Sequence, residues 1–126
     1  APDWERLELR IRELVGEGFT GFIAIFIDGA PKVIDAIRNC GKRIPEDISL
    51  VAYESAEMTA HLTPPLTALA YDYRGLAAAA AGRLELELEG CGKLRQIVVP
   101  GRLIVRASTA PPPGFSAGDG GRGRGL

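Results

Sequence analysis

The sequence predicts an α/β fold, a parallel sheet flanked by helices, and three features carry that prediction. Two short β-forming runs, residues 22–27 and 48–53, are apolar save for Ser49 rather than alternating, the pattern of strands covered on both faces. Segments with helical spacing flank both runs, so strands and helices alternate along the chain. Glycine or proline punctuates most changeovers, at Gly16 and Gly18, Gly41 and Pro45, Pro64 and Pro65, and Gly90 and Gly92.

Residues 4–17 set Leu7, Ile11, Leu14 and Val15 on one helical face, with Glu5, Arg6, Arg10, Arg12 and Glu13 mostly between them. Residues 22–27 then form a buried strand ending at Asp28. Gly29-Ala30-Pro31 opens a second helix, since proline is tolerated in a first turn, and Asp28 or Gly29 supplies the cap. Its inward stripe is Val33, Ile34, Ile37 and Cys40. Gly41 closes it and Pro45 forbids its continuation, so residues 48–53 emerge as a strand buried on both faces, with Glu54 and Ser55 at its carboxyl end. Ligands of open α/β sheets bind at that end, which makes a carboxylate there a functional candidate.

Residues 58–62 read as a short helix stopped by the double proline, and residues 66–71 as extended chain. Residues 73–89 place Leu76, Ala80, Leu84 and Leu88 at steps of four among alanines, which favours a helix. Leu84, Leu86 and Leu88 alternating with Glu85, Glu87 and Glu89 leave a local strand as its rival. Residues 96–99 and 103–105 read as two strands around a turn at Pro100-Gly101. Residues 110–126, rich in proline and glycine, read as a disordered tail whose Arg122 and Arg124 offer few phosphate contacts.

The 126 residues, 46% hydrophobic and 25% charged, suit one globular core, and a net charge of −1 gives no basic face for nucleic acid. Cys40 and Cys91 fit neither a metal-site spacing nor a disulfide framework and read as reduced thiols of a cytoplasmic protein. No leader-like start and no run near the ~18 apolar residues of a spanning helix argue against export or a membrane partner. The initial Ala1 suggests that residues upstream were removed or not included. His61 is the sole histidine and Cys40 has no evident base, so no enzyme, metal or cofactor is expected. Asp28 and Glu54 resemble a glycosidase pair only in being two carboxylates at strand ends.

The stretch from Gly41 to Leu69, GKRIPEDISLVAYESAEMTAHLTPPLTAL, resembles the sugar-sensing domain of lactose-repressor-type (LacI/GalR) transcription regulators. Val51 to Ser55 and Leu62 to Thr67 are its most specific parts, and the resemblance extends over roughly residues 4–110. It implies a partial periplasmic-binding-protein-like (type I) fold over residues 1–109, mainly the C-terminal lobe of two. The helix at about 73–89 would belong to the other lobe, leaving its leucines exposed here.

The function so implied is the effector-binding and dimerisation portion of a regulator that senses a small sugar-like molecule. It would act as a homodimer and reach DNA only through a helix-turn-helix domain absent from this chain. Two alternatives stand beside it: a free-standing α/β oligomerisation module without ligand, or part of a sugar-uptake binding protein. By resemblance Glu54 takes the Asp position that ends the family's VGYD, where a carboxylate accepts hydroxyl hydrogen bonds. Trp4 falls where the family has a Trp after a strand, and Asp28 near an Asn-Asp pair, though the spacing to Gly41 is short by one to three residues. Tyr71 and Tyr73 lie on a hinge crossing with ligand-facing side chains, and His61 matches a dimer-interface position. Plainer readings compete: core packing for Trp4, Tyr71 and Tyr73, helix capping for Asp28, and a surface residue for His61.

Overall fold

The computed structural model describes residues 3–25, 29–53, 56–90 and 96–115. The described elements are α1 (Trp4–Gly16), β1 (Gly21–Ala24), α2 (Gly29–Asn39), β2 (Ser49–Tyr53), α3 (Ala56–Ala60), β3 (Thr67–Ala70), α4 (Tyr73–Leu88) and β4 (Arg102–Ile104). They build a mixed α/β fold around one sheet in the order β1-β2-β3-β4, in which β1, β2 and β3 are parallel and β4 is an antiparallel edge.

Asp3 starts α1 by accepting the Arg6 backbone N–H at 3.1 Å, which satisfies a donor that the first helical turn leaves open. Gly18, at φ +93, then takes a backbone conformation that a side chain would strain. α2 buries Val33, Ile34, Ala36 and Ile37, whereas Cys40, predicted for the same stripe, is half-buried because it lies in the turn just beyond the helix.

The turn that follows is held by Asp47, whose carboxylate accepts from the Arg43 backbone N at 2.9 Å and from Arg43 Nε at 3.2 Å. The Arg43 backbone hydrogen bond first, and its side-chain bond second, hold the Asp47 carboxyl below its ordinary 3.8. An acid lowered in this way stabilises the fold above its ordinary value, and the contribution disappears as pH falls through the folded value. Asp47→Asn should therefore melt slightly below the wild type at neutral pH, with the gap closing in strong acid. A melting series across pH in which the gap stays constant would rule the carboxylate out as its source.

Register pairs Phe22 with Leu50, and Ala24 with Ala52, which in turn pairs with Ala68. These residues share one face and form the core with Ile11 of α1 and Val33, Ile34 and Ile37 of α2. Three small alanines leave the volume between the layers to the isoleucines. The other face carries Ile23, Val51, Tyr53, Leu69 and Leu103, of which Ile23 is 71% and Leu103 59% exposed. β2 thus differs from its prediction: its burial alternates, because the described helices cover one face alone.

Two further expectations shift. The short helix lies at Ala56–Ala60, ahead of its predicted place, and residues 96–99 form no ladder, so only Arg102–Ile104 joins the sheet. Ile97 and Val99 instead line a cleft of about 200 Å³ with Leu76, Ala79, Ala80 and Arg83 of α4. α4 is helical through its Leu-Glu repeat and contributes no buried residue.

After β4 the chain crosses the amino ends of β2 and β3. The Ser108 hydroxyl donates to the Leu50 carbonyl and accepts the Thr67 N–H at 2.8 Å, while Leu50 N–H donates to the Ser108 carbonyl at 2.8 Å. Arg106 Nη1 reaches the Leu66 carbonyl at 2.6 Å and Thr59 Oγ1 at 3.0 Å. Ala110, placed by sequence at the start of the tail, exchanges two hydrogen bonds with the Ser49 hydroxyl.

Candidate ligand site

Because β1, β2 and β3 are parallel, their carboxyl ends share one edge of the sheet, the edge at which ligands of such folds bind. At the end of β3 the chain continues as Tyr71, Asp72 and Tyr73. Tyr71 lies between two other rings, with centroids 4.4 Å from Tyr53 at 58° and 5.4 Å from Tyr73 at 45°. Tilted rings at these separations attract through edge-to-face electrostatics. The row ends in solvent, Tyr73 being 53% exposed.

Asp72 caps α4: its Oδ1 accepts the Gly75 N–H at 2.9 Å. A Cβ at residue 75 would stand 2.5 Å from Asp72 Oδ2, so any larger residue there would displace the capping carboxylate. Beside this cap opens a cavity of about 400 Å³ lined by Ala70, Tyr71, Asp72, Pro100 and Arg102. That volume lies in the range of small-molecule sites. Gly101 fits closely there, because a Cβ would come within 3.3 Å of the Ala70 carbonyl oxygen and of Leu69 Cδ1. Arg102 faces Ala70 in the register, and its side chain makes no hydrogen bond or ion pair with another described residue.

Of the residues singled out from sequence, Tyr71 and Tyr73 come together, and Tyr53 joins them unforeseen. Trp4, half-buried at the start of α1, lines a separate cleft of about 260 Å³ with Leu7, Glu8, Lys32, Asp35 and Asn39 among others. The two cavities share no residue. His61 is exposed just after α3, its N–H on the Met58 carbonyl at 3.3 Å. Asp28 and Glu54 lie outside the described residues, though Glu54 directly follows Tyr53 in sequence. Among the described residues no acidic, histidine or cysteine cluster could hold a metal, and no helix is long and apolar enough to cross a membrane.

Comparison with known proteins agrees with this architecture. Residues 3–109 match the periplasmic binding protein-like domain. A "Probable opine utilization operon repressor" of Rhizobium rhizogenes is 33% identical over 103 residues, which are 80% of this chain and 50% of that protein. The dimeric Lac repressor with an 11-residue C-terminal deletion superposes with a TM-score of 0.72 at 27% identity, covering 82% of this chain and 39% of that one. A LacI family regulator from Arthrobacter sp. FB24, in complex with lactose, gives 0.67 at 26% identity over 85% of this chain and 41% of its own. The chain thus spans half or less of the length of these three proteins. With the family match spanning most of its length, the chain belongs to the lactose-repressor-type (LacI/GalR) regulators, within their periplasmic-binding-protein-like domain.

Proposed function

We propose that this chain is the C-terminal effector-binding and dimerisation portion of a cytoplasmic LacI-type transcription regulator and that it takes a small sugar-like molecule without transforming it. The observation that carries this is the tyrosine row beside a cavity of about 400 Å³ at the carboxyl end of β3. Flat aromatic faces suit the apolar C–H side of a sugar ring, and polar groups alongside fix its hydroxyls. In this reading Tyr71 and Tyr73 face the ligand and Glu54 and Asp28 accept hydroxyl hydrogen bonds, while Trp4, in its separate cleft, lines no part of this cavity. Exposed His61 lies on the homodimer contact, and DNA is reached through a separate domain.

Lactose, bound by the Arthrobacter relative, is the first probe. Titration should give a saturable change in tyrosine fluorescence, and Tyr73→Ala should weaken binding several-fold. A second reading, an oligomerisation module without ligand, is favoured by the unburied α4 and the open sheet face. A tight dimer in light scattering, with fluorescence indifferent to every sugar, would select that reading instead.

A further inference from the structure

We propose that the uncovered face of the sheet is an interface with a second copy of this chain, in which α4 of each copy lies across the sheet of the other. The inference rests on the homodimer of the proposed function and not on its ligand. A mainly parallel sheet is ordinarily covered by helices on both faces. Here α1 and α2 cover one face, and no described strand residue on the other, which carries Ile23, Val51, Leu69 and Leu103, is charged. Ile25 and Val105 continue that face just past the strand ends. Its exposed side chains amount to roughly 500 Å² of apolar surface, at the upper end of what soluble monomers show.

The helix that fits this face is α4, the one described helix that buries no residue. Its Ala77, Ala81, Leu84 and Leu88 recur at the helical period on one exposed stripe, beside the stripe that lines the cleft with Ile97 and Val99. Side-chain sizes are complementary as well. On the covered face the strands present alanines and α2 presents isoleucines, whereas on the open face the strands present isoleucine and leucine and α4 is the alanine-rich helix. The 16 residues of α4 reach about 24 Å, enough to cover a face four strands wide, about 14 Å between the outer strand axes. α4 does not cover its own sheet, since Ile23, Leu103 and Leu84 all stay exposed. Two copies related by a two-fold axis cover both sheets at once. Roughly 1,800 Å² would leave water in that exchange, within the span of stable specific interfaces.

The test is light scattering on the whole 126-residue chain, with Ile23→Lys on the sheet and Leu84→Glu on α4. The wild type is expected near twice 13.4 kDa. Each variant sets a charge in one half of the contact, which should weaken dimerisation at least about a hundredfold. Both positions are exposed in the single chain, so the circular dichroism of each variant should match the wild type. Mixing the two variants should restore the dimer, because one of its two contacts is then native and the other brings opposite charges together. Were only one of the two surfaces used, the variant on the other would stay dimeric. A variant that stays dimeric, or a mixture that stays monomeric, overturns the exchange; if His61→Glu then breaks the dimer, the homodimer stands on the contact at His61. A wild type that is monomeric at every concentration overturns the exchange and the homodimer together and leaves the sugar titration unaffected.

Discussion

Ile37→Ala is expected to lower stability by about 3 kcal/mol, the largest effect of any single truncation considered for this chain. Ile37 is 0% exposed in the middle of α2 and belongs to the cluster that includes Leu50, Ala52 and Ala68. Ala24, Ala52 and Ala68, the small strand residues of that cluster, have no side chain long enough to swing into the space it vacates. Alanine recovers up to about 0.7 kcal/mol through its better helix propensity, which leaves the sign unchanged. For a domain near 100 residues the melting temperature should fall by about 12 to 20 °C. Ile37→Val, which removes one methyl group, should cost only about 1 kcal/mol. If thermal unfolding followed by circular dichroism showed the two variants alike, α2 would not be packed on the sheet as described.

Ser108→Ala should be nearly as damaging although it deletes a single oxygen. Ser108 is fully buried, and its hydroxyl joins two strands by accepting from Thr67 N and donating to the Leu50 carbonyl. Alanine leaves a buried donor and a buried acceptor open, at about 1–3 kcal/mol each. A net loss of about 3 kcal/mol is expected, seen in urea as a lower midpoint with an unchanged slope, since the exposed surface on unfolding is the same. A loss below about 1 kcal/mol would mean that water replaces the hydroxyl and that the crossing chain is not a stability element.

These two residues mark what the sequence makes legible and what it hides. Ile37 is found by periodicity, because a helix that buries one face must repeat its apolar residues at the helical period. Helices α1, α2 and α4, strand β2 and the Pro-Pro stop follow from the same local reasoning. Ser108 has no such signature: Arg106 to Thr109 looks like solvated chain, and only pairing with residues 41 to 58 positions away buries it. The false strand at 96–99 and the assumption that β2 is covered twice share a cause. An apolar run records that burial is favourable but not which surface provides it. In the candidate site, Tyr71 and Tyr73 are legible through the family resemblance, whereas Tyr53 and Arg102 depend on register.

The chain that crosses below β2 and β3 also sets when this fold can finish. During synthesis the strands leave the ribosome in order, but the Leu50 and Thr67 backbone groups wait for Ser108, and the Ser49 hydroxyl waits for Ala110. Closing a loop of 58 residues costs about 3.6 kcal/mol of chain entropy. At roughly 5–20 residues per second, the interval between Leu50 and Ser108 lasts about 3 to 12 seconds. Through that time the edge of a parallel sheet stands open, its apolar face uncovered and its polar groups unpaired. The nascent chain is therefore most exposed to wrong partners just before Ser108 and Ala110 arrive, and chaperone dependence should follow translation speed over residues 50–110.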